Sequence, residues 1–210
     1  MFALSAFFYG ISHIALAISV PAELQRLESR YKAGGGVHAF FKQTQYTKAF
    51  DRTLKSAGEL WIQIPDRFRW ETREPDPNTL VSNGKTLWLY TPPFDEEDRG
   101  QVVIQKSEDT QSALARALLS GRFQSTKDVV WKKRGPRRFE MIPQSTEQKQ
   151  SLSRAELLLS PALDAIVGVT LYYPSGNKTE LTLDQVELSA SAGPESRFEF
   201  KIPSKTDVVR

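Results

Sequence analysis

Not one cysteine occurs among the 210 residues, and that absence closes several lines of chemistry at once. Disulfides, a thiolate nucleophile and cysteine-held zinc are all excluded. So is the anchoring modification of a bacterial lipoprotein, which places its acyl groups on a cysteine. Histidine is almost as scarce, with two in the chain. His13 lies in the apolar leader and His38 has no Cys or His companion for a metal and no serine elbow nearby. No glycine-rich phosphate loop, no pair of carboxylates on one helix face and no nucleophile motif is present. An enzyme therefore has no residues to rest on, and neither metal nor cofactor is expected. Asp95-Glu-Glu-Asp98 lacks the spaced oxygen ligands and central glycine of a calcium loop, so it reads as a solvated loop.

Strong charge of one sign is missing too. Lys and Arg number 28 against 25 Asp and Glu, a formal net charge of +3. The one basic cluster, Lys132-Lys133-Arg134 and Arg137-Arg138 around Gly135-Pro136, sits at a hairpin tip. It has no interleaved aromatics on which bases could stack, so nucleic acid is not an expected partner. It reads as a solvated turn or as a docking patch for an acidic partner or membrane surface.

Charge is absent altogether from the first twenty residues. Their apolar run ends in Ala15-Leu16-Ala17, a small-x-small cleavage pattern. Residues 1–17 are expected to be a signal peptide and 18–210 one domain, which is enough chain for one sizeable core. An uncleaved membrane anchor is the competing reading of the leader.

What is present is mostly β pattern. Leu24, Leu27 and Tyr31 share one face of a helix beginning near Pro21, with Ser19 as its expected cap and Gly34-Gly-Gly36 as its stop. From Val37 the period becomes two. Strands are expected at 37–44, 56–64, 67–72, 80–82, 85–90 and 101–105. Asn83-Gly84 forms the tightest hairpin signal among them. A second amphipathic helix, Asp109 to Ser120, carries Ala113, Leu114, Ala117 and Leu118. Six more strands follow at 128–133, 137–142, 155–159, 165–173, 179–188 and 198–202. Such a run of short strands with two helices excludes a doubly wound fold.

On the strand from Glu59, residues Leu60, Ile62 and Ile64 share a face, and Phe68 and Trp70 share one on the next. The plain reading is core packing. The functional reading is a cavity lining, favoured because two helices are few to cover so many strands.

The block Gly58-Glu-Leu-Trp-Ile, Pro65, Phe68-x-Trp70, Pro75-Asp76 and Leu80-Val-Ser-Asn-Gly-Lys-Thr-Leu-Trp-Leu-Tyr90-x-Pro92 closely resembles the LolA family of periplasmic outer-membrane lipoprotein carriers. Phe40-x-x-Gln43 and Phe198-x-Phe200 with Pro203 extend the resemblance more loosely. It implies an α+β fold, an incomplete, half-open antiparallel β-barrel with a helical lid over an apolar cavity. It implies a monomeric periplasmic chaperone taking lipoprotein acyl chains from an inner-membrane Lol-type ABC transporter to an outer-membrane LolB-like acceptor. By position, Leu60, Ile62, Ile64, Phe68, Trp70 and Trp88 would line the lipid-binding cavity, and Leu114, Ala117 and Leu118 would form the lid. One departure stands out: the family often places a lid-bonding arginine directly before Pro65, where this chain has Ile64. The alternatives are a LolA-like carrier of another amphiphilic lipid or a pigment precursor, and a lipid-active enzyme using His38.

Overall fold

The computed structural model describes residues 20–95, 97–106, 119–124 and 126–210. Among them, twelve strands form a single sheet. In chain order these are β1 (Gly36–Thr47), β2 (Arg52–Gln63), β3 (Arg67–Glu74), β4 (Asn78–Asn83), β5 (Thr86–Thr91) and β6 (Gly100–Lys106). After them come β7 (Val129–Lys133), β8 (Arg138–Pro143), β9 (Arg154–Leu159), β10 (Ile166–Tyr172), β11 (Lys178–Ser189) and β12 (Thr206–Val209). Their order across the sheet is β12-β6-β5-β4-β3-β2-β1-β11-β10-β9-β8-β7. Every pairing is antiparallel except β12 on β6. The sheet does not close, because β12 and β7 end it without meeting. Register shifts at His38/Phe40, Ala57/Gly58 and Ile166/Gly168 add the local twist by which a long sheet curls. The result is a half-open antiparallel barrel in the α+β class.

Helix α1 (Ala22–Gly34) turns Leu24, Leu27 and Tyr31 inward and stops at Gly35, whose φ of 80° suits glycine. Its N-cap is Pro21, with no side-chain cap; Ser19 lies outside the described residues. Phe139, Met141, Leu157, Leu159 and Ile166 are buried in the same apolar core as Leu24, Leu27 and Tyr31 of the helix. Phe123 packs edge-on against Trp131 at 5.5 Å. Glu28, buried in this core, accepts the Gln124 N–H at 2.8 Å on one oxygen, and the Lys32 ammonium lies 2.7 Å from the other as an ion pair. The buried carboxylate thus has a charged partner and also fastens the segment 119–124 to the helix.

Tyr31 makes a measurable prediction. Its hydroxyl accepts the buried Ile166 N–H at 3.1 Å, and burial pushes the phenol up to about 12. A folded-state value raised above the unfolded one stabilises the native state below pH 10 and loses that contribution as pH climbs toward 12. Two units correspond to roughly 2–3 kcal/mol. Urea unfolding followed from pH 9 to 12 should show stability falling over this window. Tyr31→Phe should flatten that fall while lowering stability at pH 8 through the orphaned Ile166 amide.

Two segments differ from the sequence expectation. Residues 198–202 add no strand. Pro194 opens a 3-10 turn, Glu195–Phe198, and the chain then crosses the sheet face opposite α1. Phe198 is buried there under the Arg67 guanidinium, 5.5 Å from its ring, and Phe200 packs on Tyr90 at 5.2 Å. Asn83 Nδ2 donates to the Glu199 carboxylate at 3.2 Å. These side-chain anchors override the alternating pattern. A short helix, α2 (Thr146–Ser151), links β8 to β9, capped where Ser145 Oγ accepts the Gln148 N–H. It buries no residue, so no apolar stripe announces it.

Candidate functional site

The part of the barrel that α1 does not fill encloses a cavity of about 850 Å³. Its back wall is built by register. Leu60 stands opposite Trp70, Trp70 opposite Leu80 and Leu80 opposite Leu89, one apolar row across β2 to β5. Ile62 and Phe68 pair beside it. Val169, Leu171 and Leu181 face this wall from β10 and β11, and Leu119 closes on it from the segment 119–124. One glycine makes the wall possible. Gly58 lies opposite Phe41, and the missing Cβ leaves room for the Phe41 ring to lean on Trp70 at 4.2 Å between centroids.

Three arginines near the space are engaged. Arg122 Nη1 donates to Asp66 Oδ1 at 2.8 Å, Arg67 Nη1 to Glu195 Oε1 at 2.9 Å and Arg69 Nε to Glu71 Oε1 at 2.5 Å. A wall of this kind is suited in shape and polarity to apolar chains. His38 lies on the opposite face, stacked on Trp61 at 5.3 Å with Nε2 2.6 Å from Glu59 Oε1. Arg73 also reaches the Glu59 carboxylate. No cluster of three His, Cys, Asp or Glu able to hold a metal occurs among the described residues.

Of the side chains expected at the cavity, Leu60, Ile62, Phe68 and Trp70 border it. Ile64 does not. It sits just past the end of β2, packs against the core and donates its N–H to the Gly35 carbonyl at 2.8 Å. Trp88 is a correction as well: because Leu89 pairs with Leu80 on the cavity side, Trp88, opposite Val81, belongs to the other face. Leu114, Ala117 and Leu118 lie outside the described residues. Leu80, Leu89, Leu171 and Leu181 were not singled out from sequence. The first two could have been, since the Asn83-Gly84 hairpin places them opposite one another. Asp66 and Arg122 had no such signal, being far apart in the chain.

The sequence profile of the outer membrane lipoprotein carrier protein LolA matches residues 35–201. An outer-membrane lipoprotein carrier protein of Legionella pneumophila is 29% identical over 88% of this chain and 88% of its own length. One of Vibrio campbellii is 30% identical over 87% of this chain and 83% of its own. One of Azotobacter vinelandii is 29% identical over 95% and 96%. Among solved structures, an uncharacterized conserved protein from Thermus thermophilus superposes with a TM-score of 0.53. It is 14% identical over 89% of this chain and 98% of its own, a likeness of fold alone. With a matching profile over most of the domain and an apolar hollow where such a carrier needs one, the chain belongs to the LolA family of outer-membrane lipoprotein carrier proteins.

Proposed function

We propose that residues 18–210 act in the periplasm, after loss of residues 1–17, as a monomeric chaperone for acylated lipoproteins. The protein would receive its cargo from an inner-membrane ABC transporter and deliver it to an outer-membrane acceptor. The observation that carries this reading is the cavity itself, apolar on its walls and about 850 Å³ in volume. That is toward the upper end of the roughly 300–1,000 Å³ typical of ligand pockets.

A sixteen-carbon acyl chain gains about 12 kcal/mol on leaving water, at about 0.8 kcal/mol per methylene. A protein that shelters such a chain has no need of a catalytic group, in keeping with membership of a carrier family rather than an enzyme family. Release then depends on an acceptor of comparable apolar surface, because only differential affinity moves the cargo onward. No helix among the described residues is long and apolar enough to cross a membrane. This suits a carrier shuttling between two of them.

The test is to produce the full chain with its leader in a Gram-negative host and purify it from the periplasm. Bound material is then identified by mass spectrometry after solvent extraction. The expected result is a co-purifying acylated lipoprotein in near-stoichiometric amount. Recovery of a non-protein lipid or pigment in its place would reassign the cargo. Recovery of no amphiphile at all would overturn the carrier reading.

A further inference from the structure

Polarity rises outward along the cavity on β1, β3 and β11, and β2 adds a serine at the same level. On β1, buried Phe41 gives way to Gln43 and then to exposed Gln45; on β3, Phe68 and Trp70 give way to Thr72. On β2, Leu60 is followed outward by Ser56 and then by apolar Leu54, and on β11 Leu181 is followed by Thr179. The register joins them into one band: Gln43 lies opposite Ser56 and Gln45 opposite Thr179. Among the described residues, none of these side chains has a hydrogen-bond partner in the protein. Half-buried polar groups of this kind take partners from whatever occupies the space beside them.

The band contains no cation. Among the described lining residues, the charged side chain at this end is Asp76, in the β3–β4 turn; Arg122 stands at the other end paired with Asp66, and Arg67 and Arg69 alternate with Phe68 and Trp70 onto the other face of β3. We propose that the band is a neck subsite, selecting amphiphiles whose acyl chain is joined through an uncharged ester or amide and rejecting those ending in an anion. The tail lies on the apolar row and the ester or amide exchanges hydrogen bonds with Gln43, Ser56, Thr72 and Thr179. A carboxylate at the same depth would be stripped of water with no counter-charge, beside an acidic side chain. The inference rests on the carrier reading and deepens it, since an acylated protein N-terminus and a neutral glyceride share this neck chemistry.

The test is displacement of the fluorescent probe N-phenyl-1-naphthylamine from the purified protein at pH 8. Three ligands of equal chain length are compared: 1-monopalmitoylglycerol, N-palmitoylglycinamide and palmitate. The ester and the amide should each displace the probe at least tenfold more tightly than palmitate. Gln43→Lys, which supplies the absent cation, should bring the ratio to about one or below. Equal affinity for palmitate and the neutral ligands in the unaltered protein overturns the inference and leaves the carrier reading standing. So does a ratio that Gln43→Lys does not move. Binding of the glyceride without the amide supports the neck subsite and counts against a protein cargo. Failure of the probe and of all three ligands to bind removes both readings.

Discussion

Replacing Leu80 with glutamate is expected to abolish capture of an acyl chain, with affinity for a palmitoyl ligand falling at least a hundredfold while the protein stays folded. Leu80 sits mid-row between Trp70 and Leu89 on the cavity wall and is only partly buried, so the longer but not bulkier side chain of glutamate can be housed without a backbone shift. An ionised carboxylate there would either keep its water in the hollow or lose it beside a hydrocarbon tail. The second course costs several kcal/mol for want of a partner, and about 1.4 kcal/mol is already a tenfold change in affinity. Leu80→Met, which changes shape but not polarity, should bind within a few fold of the unaltered protein. Probe fluorescence reads affinity, and near-ultraviolet circular dichroism reads the fold. Tight palmitoyl binding by a folded Leu80→Glu protein would show that the tail lies somewhere other than on this wall.

Gly58→Ala should produce a large loss of stability for the addition of a single carbon. A Cβ at that position would lie 1.9 Å from the Glu71 carbonyl oxygen and 2.8 Å from the Phe41 ring. The first is backbone and cannot swing away, so strands β2 and β3 must part or Phe41 must leave Trp70. Overpacking of side chains alone costs about 1–3 kcal/mol, and a clash with backbone belongs at or above the top of that range. In a protein of this size each kcal/mol lowers the melting midpoint by about 2–4 °C, so the drop should be about 6–12 °C or more. Gly135→Ala is the matched control, since nothing lies within 4 Å of the added carbon, and it should leave the midpoint nearly unchanged. A Gly58→Ala midpoint within about 2 °C of the parent would refute the packing argument. The same variant should also bind palmitoyl ligands less well, because the ring pair it disturbs is part of the cavity surround.

Much of this arrangement was legible in the sequence, for identifiable reasons. The period of two places Leu60 and Ile62 on one face of β2, and Phe68 and Trp70 on the matching face of β3. The cavity's main wall follows from that alternation alone. Asn83-Gly84 aligns β4 with β5, so the outward turn of Trp88 could be read by counting back from the hairpin. Other features depend on groups that only the fold brings together. The alternation at 198–202 mimics a strand, and its true course is set by Arg67, Asn83 and Tyr90, which come from three different strands. Helix α2 carries no apolar face, so nothing in its spacing distinguishes it from a loop. The Asp66–Arg122 contact joins residues separated by 56 positions, and no local pattern encodes such a pairing. The polar band escaped notice because glutamine, serine and threonine at strand ends look like ordinary surface until the register aligns them.

The middle of the sheet joins the two extremes of the chain: β1 pairs along its length with β11, so Val37 meets Leu188 and Tyr46 meets Lys178. A chain made amino-end first presents β1 long before β11 emerges, although β2 follows at once. Contacts of such wide sequence separation are slow to form, because the intervening loop must be closed first. During that interval the edge of β1 that β11 will cover keeps its backbone N–H and C=O groups unpaired, a period in which aggregation competes with folding. The architecture that makes the finished protein a shelter for others thus leaves the newborn chain in need of one.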